Sequence, residues 1–325
     1  MTPRLFALLI TLFCLGSGPA AAQISPLSDA YLLNPFLVNP AVAGTERYSP
    51  LSFNVRQQWM GWEGAPSMQA ITWHKRIRST GMFYTPQGFR NKGINSIGKV
   101  GIGGGFFNYG YGAVNHTGIH LDYAYHIVLD RGRLALGLAP LFFQYRLNKS
   151  GFVLPEPNMI DPLLSDPDET LFFLDANIGM HYYSENFYAG LSVLQLLSSR
   201  VKFGDYSFDK LDDRELNSDL FATVWGYAGY RFELSREIIL EPSLYLRYNS
   251  KTNPGVHLNT LVHLYNQFRT GLSLRWGESL SMLAGVTLDN LEIIYQFEFP
   301  VTNAVPNRFS NHSIGIRMRL GEPVE

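Results

Sequence analysis

The run Ile119–Leu129 changes character at every residue. Ile119, Leu121, Tyr123, Tyr125, Ile127 and Leu129 fall on one side of an extended chain, and His120, Asp122, Ala124, His126 and Val128 on the other. A period of two specifies a strand with one apolar and one mostly polar face. The pattern recurs along the chain between turn residues, and no amphipathic helix of similar regularity competes with it. A soluble sandwich would satisfy the alternation alone. Charged residues, however, make up only 16 %, against about a quarter in soluble domains, and aromatic residues reach 14 %. With an export signal in front, this reads as an all-β fold: a transmembrane, antiparallel, up-and-down β-barrel of an outer membrane.

The signal is expected over residues 1–22. Arg4 supplies the positive region, Leu5 to Leu15 the apolar stretch, and Ala20-Ala21-Ala22 the small-residue cleavage site. The single cysteine, Cys14, lies inside the apolar stretch behind Leu12 and Phe13, which is no lipidation context. The mature chain is thus expected to hold neither disulfide nor thiolate metal site. After residue 22 no run of eighteen apolar residues offers a transmembrane helix. A net charge of −1 gives no footprint for nucleic acid, and 46 % hydrophobic residues exclude disorder.

Residues 23–50 read as an extended lead-in. Two Asn-Pro pairs, Asn34-Pro35 and Asn39-Pro40, block helix continuation and ladder donation. Tyr31, Leu33, Phe36 and Val38 are not residues for a solvated tail, so the segment is expected to pack on the barrel wall or in its periplasmic mouth as a plug.

Residues 51–325 are expected to form the barrel. Alternation places about fourteen strands at 51–58, 67–75, 99–109, 115–129, 133–147, 170–183, 186–195, 219–234, 237–248, 257–265, 267–276, 279–288, 291–299 and 312–320. Loop lengths agree independently. With both termini periplasmic, odd-numbered connections face outward and run long, whereas even-numbered ones are tight turns. The long connections 148–169, 196–218, 249–256 and 300–311 all follow odd strands. The exception, 76–98, is either a periplasmic loop or hides two short strands.

The polar faces carry Asp122, Asp175, Glu233, Glu241, Glu292 and Glu298 with Arg231, Arg247, Arg269, Arg275, Arg317 and Arg319. Balanced charge suggests an ion-paired filling or a plugged interior rather than a one-signed channel. Charge at Leu121 or Tyr123 is expected to be costly, and at His120 much less so.

No catalytic motif emerges, and the chain is read as a non-enzyme. His116, His120 and His126 share a face, but His116 and His120 would lie about 13 Å apart along a strand. Gly101, Gly103, Gly104 and Gly105 lack the lysine and helix of a phosphate loop, and mark a bend or a close backbone approach. Calcium has two candidate sites in the outer loops: Asp161, Asp166, Asp168 and Glu169, and Asp205, Asp209, Asp212, Asp213 and Glu215. Neither has EF-hand spacing, and a solvated loop is preferred. No other cofactor is expected. The same loops hold Phe152, Leu154, Met159, Ile160, Leu163, Phe203, Tyr206 and Phe208, apolar groups on an outer surface that suit partner docking.

The segment Tyr31–Gly44 with its repeated Asn-Pro, followed by Arg56-Gln57-Gln58-Trp59-Met60-Gly61-Trp62-Glu63-Gly64-Ala65-Pro66, resembles the start of the PorP/SprF family. Leu121–Leu129 and Leu134–Leu138 resemble its later strands, and the second half resembles it in alternation and length only. The resemblance implies a fourteen-stranded outer-membrane barrel of the type IX secretion system, embedded in lipid and working with other components of that system. It also implies a large secreted or surface protein as partner, held through its C-terminal domain and often used in gliding. The alternative reading is a transport channel for a small hydrophobic substrate. Two departures from the family pattern are the non-aromatic end Arg317–Glu325 and the length of 76–98.

Overall fold

The computed structural model describes residues 30–77, 82–85, 88–91, 99–148, 169–197, 200–201, 218–219, 222–250, 252–301 and 309–321. In chain order the strands are β1 (Ser49–Gln57), β2 (Ser67–Ile77), β3 (Met82–Thr85), β4 (Gly88–Asn91), β5 (Val100–Tyr111), β6 (Val114–Leu129) and β7 (Gly132–Leu147). Then follow β8 (Glu169–Tyr183), β9 (Phe187–Leu194), β10 (Arg200–Val201), β11 (Ser218–Asp219), β12 (Thr223–Tyr230), β13 (Phe232–Glu233) and β14 (Ile238–Asn249). The last are β15 (Thr252–Leu264), β16 (Phe268–Arg275), β17 (Ser279–Leu288), β18 (Leu291–Pro300) and β19 (Asn311–Leu320).

Fourteen of these make a closed antiparallel barrel, with β13 continuing the line of β12 along β14. Each strand pairs with its neighbour in sequence, and the ring closes where β1 pairs with β19, from Ser49↔Leu320 to Gln57↔His312. Closure leaves no edge, which is what a sheet needs in lipid. Among the described residues no helix is long and apolar enough to cross a membrane.

The alternation is realised as two faces. Ile119, Leu121, Tyr123, Tyr125, Ile127 and Leu129 are exposed on the outside, and His120, Asp122, Ala124 and His126 are buried within. Val128, at the strand end, is exposed instead. Glu233, expected inside, is also exposed, because β13 lies at the mouth rather than in the lumen. The connection expected at 249–256 shrinks to residues 250–251, since β15 begins at Thr252. The span 76–98 does contain two short strands, β3 and β4, which pair only with each other. His120, where added charge was expected to cost much less than at Leu121, is closely packed. Its ring bonds Asp122 at 2.5 Å, lies 5.6 Å from the Phe36 ring and is buried, so an arginine there would overpack the interior.

Candidate functional site

The interior is occupied by the chain's own residues. Ala30–Leu33, Phe36–Val38 and Ala41–Ala43 are buried, as are Asn34, Asn39 and Pro40. Each Asn-Pro pair starts a 3₁₀ turn, Pro35–Leu37 and Pro40–Val42. Proline fixes φ at the first helical position, where no amide is required, and the preceding asparagine caps the free donors. Asn34 Oδ1 accepts from Phe36 N–H at 3.2 Å, and Asn39 Oδ1 from Ala41 N–H at 2.9 Å. The other half of each amide binds the wall: Asn34 Nδ2 donates to Thr72 Oγ1 at 2.7 Å, and Asn39 Nδ2 to Met180 O and Tyr227 Oη at 3.0 Å.

Strand glycines make room for this. A Cβ on Gly101 would overlap Ala43 O, one on Gly137 the Pro40–Ala41 peptide, and one on Gly179 the Asn39 side chain. Gly103 is likewise faced by the Phe36 ring. The glycines of β5 therefore mark close approach, one of the two roles read for them above. Lead-in carbonyls find donors on the wall. Arg76 Nε donates to Gly44 O at 2.6 Å, Arg317 Nη2 to Leu33 O at 2.7 Å and Ser192 Oγ to Val38 O at 2.5 Å. Tyr31 seals the far side against Tyr245 and Trp225, with ring centroids 4.4 and 5.7 Å away, and donates to Asn259 Oδ1 at 2.9 Å.

Beyond the lead-in, the charge balance appears as ion pairs. Glu298 takes Arg56 at 3.0 Å and Arg275 at 3.6 Å; Glu241 takes Arg231 at 3.0 Å and His263 at 3.1 Å; Arg247 meets Glu278 at 2.5 Å. Glu292 sits between Arg269 and Arg317, which also faces Glu46 at 3.9 Å. Burial alone would raise the Glu46 carboxyl, but Arg317, helped by His74 and a hydrogen bond from Tyr48, holds it below its usual range. Arg56, singled out above only as part of the motif, and Arg76 belong to this interior as well; their inward register on β1 and β2 is the sequence signal for that role. Among the described residues no group of histidine and acidic side chains could hold a metal ion.

The second motif builds the β1–β2 connection at the end opposite the lead-in's neighbouring strand end. Arg56 points inward to Glu298 and to Ser313 Oγ at 3.1 Å. Gln57 is the last residue of β1, and Gln58 N–H donates to Pro66 O at 2.8 Å. Trp59 turns the chain at φ 44°, its N–H held by Asn311 Oδ1 at 2.9 Å, and Gly61 and Gly64 follow at φ 98° and 72°. Gly64 O accepts from Gly112 N–H at 2.8 Å, which ties this loop to the β5–β6 turn. Residues 20–318 match the sequence profile of the family described as Type IX secretion system membrane protein PorP/SprF.

The chain belongs to the PorP/SprF family.

It is accordingly an outer-membrane β-barrel protein of the type IX secretion system, with a non-enzymatic role. No curated protein is detectably similar to it in sequence. Solved structures with a similar course include the toluene transporter TbuX of Ralstonia pickettii, at 11 % identity and a TM-score of 0.49, covering 94 % of this chain and 96 % of that one. The toluene transporter TodX of P. putida gives 8 % and 0.47 over 90 % and 94 %. The outer membrane protein Omp33 of Acinetobacter baumannii gives 7 % and 0.44 over 85 % and 100 %. The barrel assignment rests on this chain's own closed ladder.

Two cavities flank the lead-in of this PorP/SprF protein. A small one of about 40 Å³ touches Phe36, Asn39, His116, His120 and Asp122. A vestibule of about 1240 Å³ opens on the other side, roofed by Tyr31, Pro35 and Val42 and walled by the ends of strands at the lead-in's exit. Phe152, Leu154, Met159, Ile160, Leu163, Phe203, Tyr206 and Phe208 lie outside the described residues, as do all the candidate calcium ligands except Glu169. Glu169 is the first residue of β8.

Proposed function

We propose that this barrel binds a large secreted surface protein through that protein's C-terminal domain, and helps to export or anchor it at the cell surface. The observation that carries the reading is the occupied lumen. In a member of a secretion-system family, residues 30–44 fill the space a passing substrate would need. A barrel so filled serves by presenting surfaces rather than by conducting, and membership of the family supports other components of the type IX system as its neighbours. The lead-in, residues 23–50, acts as the plug, residues 51–325 as the membrane barrel, and residues 1–22 as a signal removed on export. Docking falls to the outer loops carrying Phe152, Leu154, Met159, Ile160, Leu163, Phe203, Tyr206 and Phe208.

Affinity isolation from native membranes tests this reading. One very large exported protein should co-purify, and shortening loops 148–169 and 196–218 should lose it while the barrel still assembles. Retention of the partner after both deletions would move docking elsewhere. Large, steady single-channel conductance of the full-length protein would defeat the plug and favour the channel for a small hydrophobic substrate.

A further inference from the structure

The vestibule beneath the lead-in has an uneven charge balance. Arg47, Arg76, Arg133, Arg231, Arg269, Arg317 and Arg319 line it, against Glu46, Glu185, Glu241 and Glu292. Three of the acids are already committed: Glu241 to Arg231, Glu46 to Arg317, and Glu292 to Arg269 and Arg317. Arg319 lies over the Tyr48 ring at 5.2 Å. Among the described residues, Arg76 and Arg133 face no carboxylate within ion-pair distance.

These two arginines share one place. Arg133 and Tyr183 are direct cross-strand partners on β7 and β8. Arg76 Nη2 donates to Tyr183 Oη at 2.7 Å, and that hydroxyl also lies against the Arg133 guanidinium. Arg76 is buried, at 7 % exposure, and also donates from Nε to Gly44 O and from Nη2 to Thr45 O. Arg133 Nη1 is buried with no hydrogen-bond acceptor. A buried guanidinium N–H without a partner is costly unless something supplies an acceptor. Two neighbouring cations in a recess strengthen that demand and focus the field on an anion.

The size and walls of the recess narrow the choice of ligand. At about 1240 Å³ it exceeds the roughly 300–1,000 Å³ typical of small-molecule pockets. Its wall mixes tyrosines (Tyr188, Tyr227, Tyr245) with apolar Leu32 and Leu261. The barrel strands separate it from the bilayer, and it opens at the end where short turns place the periplasm. We propose that this vestibule is a binding site for an extended acidic peptide entering from the periplasm, with one carboxylate received by Arg133 beside Arg76 and Tyr183. The planar arginine fork suits a carboxylate taken in two-point geometry. The proposal goes beyond the outer-surface role and can fail without it.

The test uses the full-length barrel in detergent and a fluorescent six-residue glutamate peptide with an amidated end, beside its all-glutamine counterpart. The expected result is saturable binding of the acidic peptide only, weakened at least tenfold by Arg133→Gln and by raising salt from about 0.05 to 0.5 M. Arg133→Lys should recover only part of the loss, because charge is kept and the fork is not. Heat-modifiable migration of each variant shows that the barrel is intact; if Arg133→Gln misfolds, Tyr183→Phe and the salt series in the unaltered protein decide instead. Equal binding of both peptides, or binding indifferent to Arg133 and salt, would overturn the proposal. So would saturable binding of inorganic phosphate without any binding of the acidic peptide, which would assign the site to a small free anion.

Discussion

Along β5–β8 the lead-in meets the barrel backbone to backbone, whereas along β12–β19 it meets the ends of long side chains. On the first wall Gly101, Gly137 and Gly179 stand opposite Ala43, Ala41 and Asn39, with Ala124, Ala135 and Ala139 buried among them. On the second, Trp225, Tyr245 and Leu261 pack against Tyr31–Leu33, and Arg269 and Arg317 reach in to lead-in carbonyls. The filling is therefore eccentric. One wall is bared so that a chain can lie on it, and the remaining width is bridged by side chains from the other. Backbone contact tolerates no added volume, whereas side-chain contact tolerates no removal.

The largest effect should come from the side-chain wall. Tyr31→Ala removes a fully buried aromatic and its hydrogen bond to Asn259, and should cost about 3–5 kcal/mol in a refolding equilibrium. A loss under ~1 kcal/mol would mean that the lead-in contributes little to the folded barrel. Leu121→Arg serves as an outside reference. Leu121 is 65 % exposed on the lipid face, and an arginine near the midplane should cost about 2–4 kcal/mol in a lipid refolding assay. Next comes the backbone wall: Gly137→Ala should cost about 1–3 kcal/mol by overpacking against Ala41, and should make residues 30–44 newly sensitive to protease. Unchanged protection would show that the bare wall is not what seats the segment. Asn34→Ala removes a cap and a bond to Thr72, for about 1 kcal/mol.

The smallest effect is acid sensitivity at Glu46. Its carboxyl is held below the usual range when folded, so its contribution is present above the unfolded value and is lost as pH falls through the folded one. Glu46→Gln should flatten that acid limb of the stability profile in a pH series. An unchanged limb would assign it to other carboxylates.

Much of the barrel was legible because lipid and lumen impose a strict period of two. The strands expected at 67–75 and 291–299 appear as β2 and β18 with ends shifted by one or two residues. Where length rather than period was the guide, reading failed: Thr252 to Val256 looked like loop because Pro254 and Gly255 interrupt the apolar rhythm, yet they continue β15. The lead-in was legible as apolar and punctuated, but not its path. Nothing local in Asn39 announces a bond to Tyr227, 188 positions away. The vestibule was equally hidden, because Arg76 and Arg133 come together only once β2, β5, β6, β7 and β8 stand side by side.

The bare wall also has a consequence for inheritance. Where Gly101 or Gly137 faces a peptide unit rather than a side chain, neither partner has a spare rotamer with which to absorb a change in the other. Lead-in and wall are thus bound to vary as a matched set. A lead-in transplanted into a foreign barrel should seat only if its glycines travel with it.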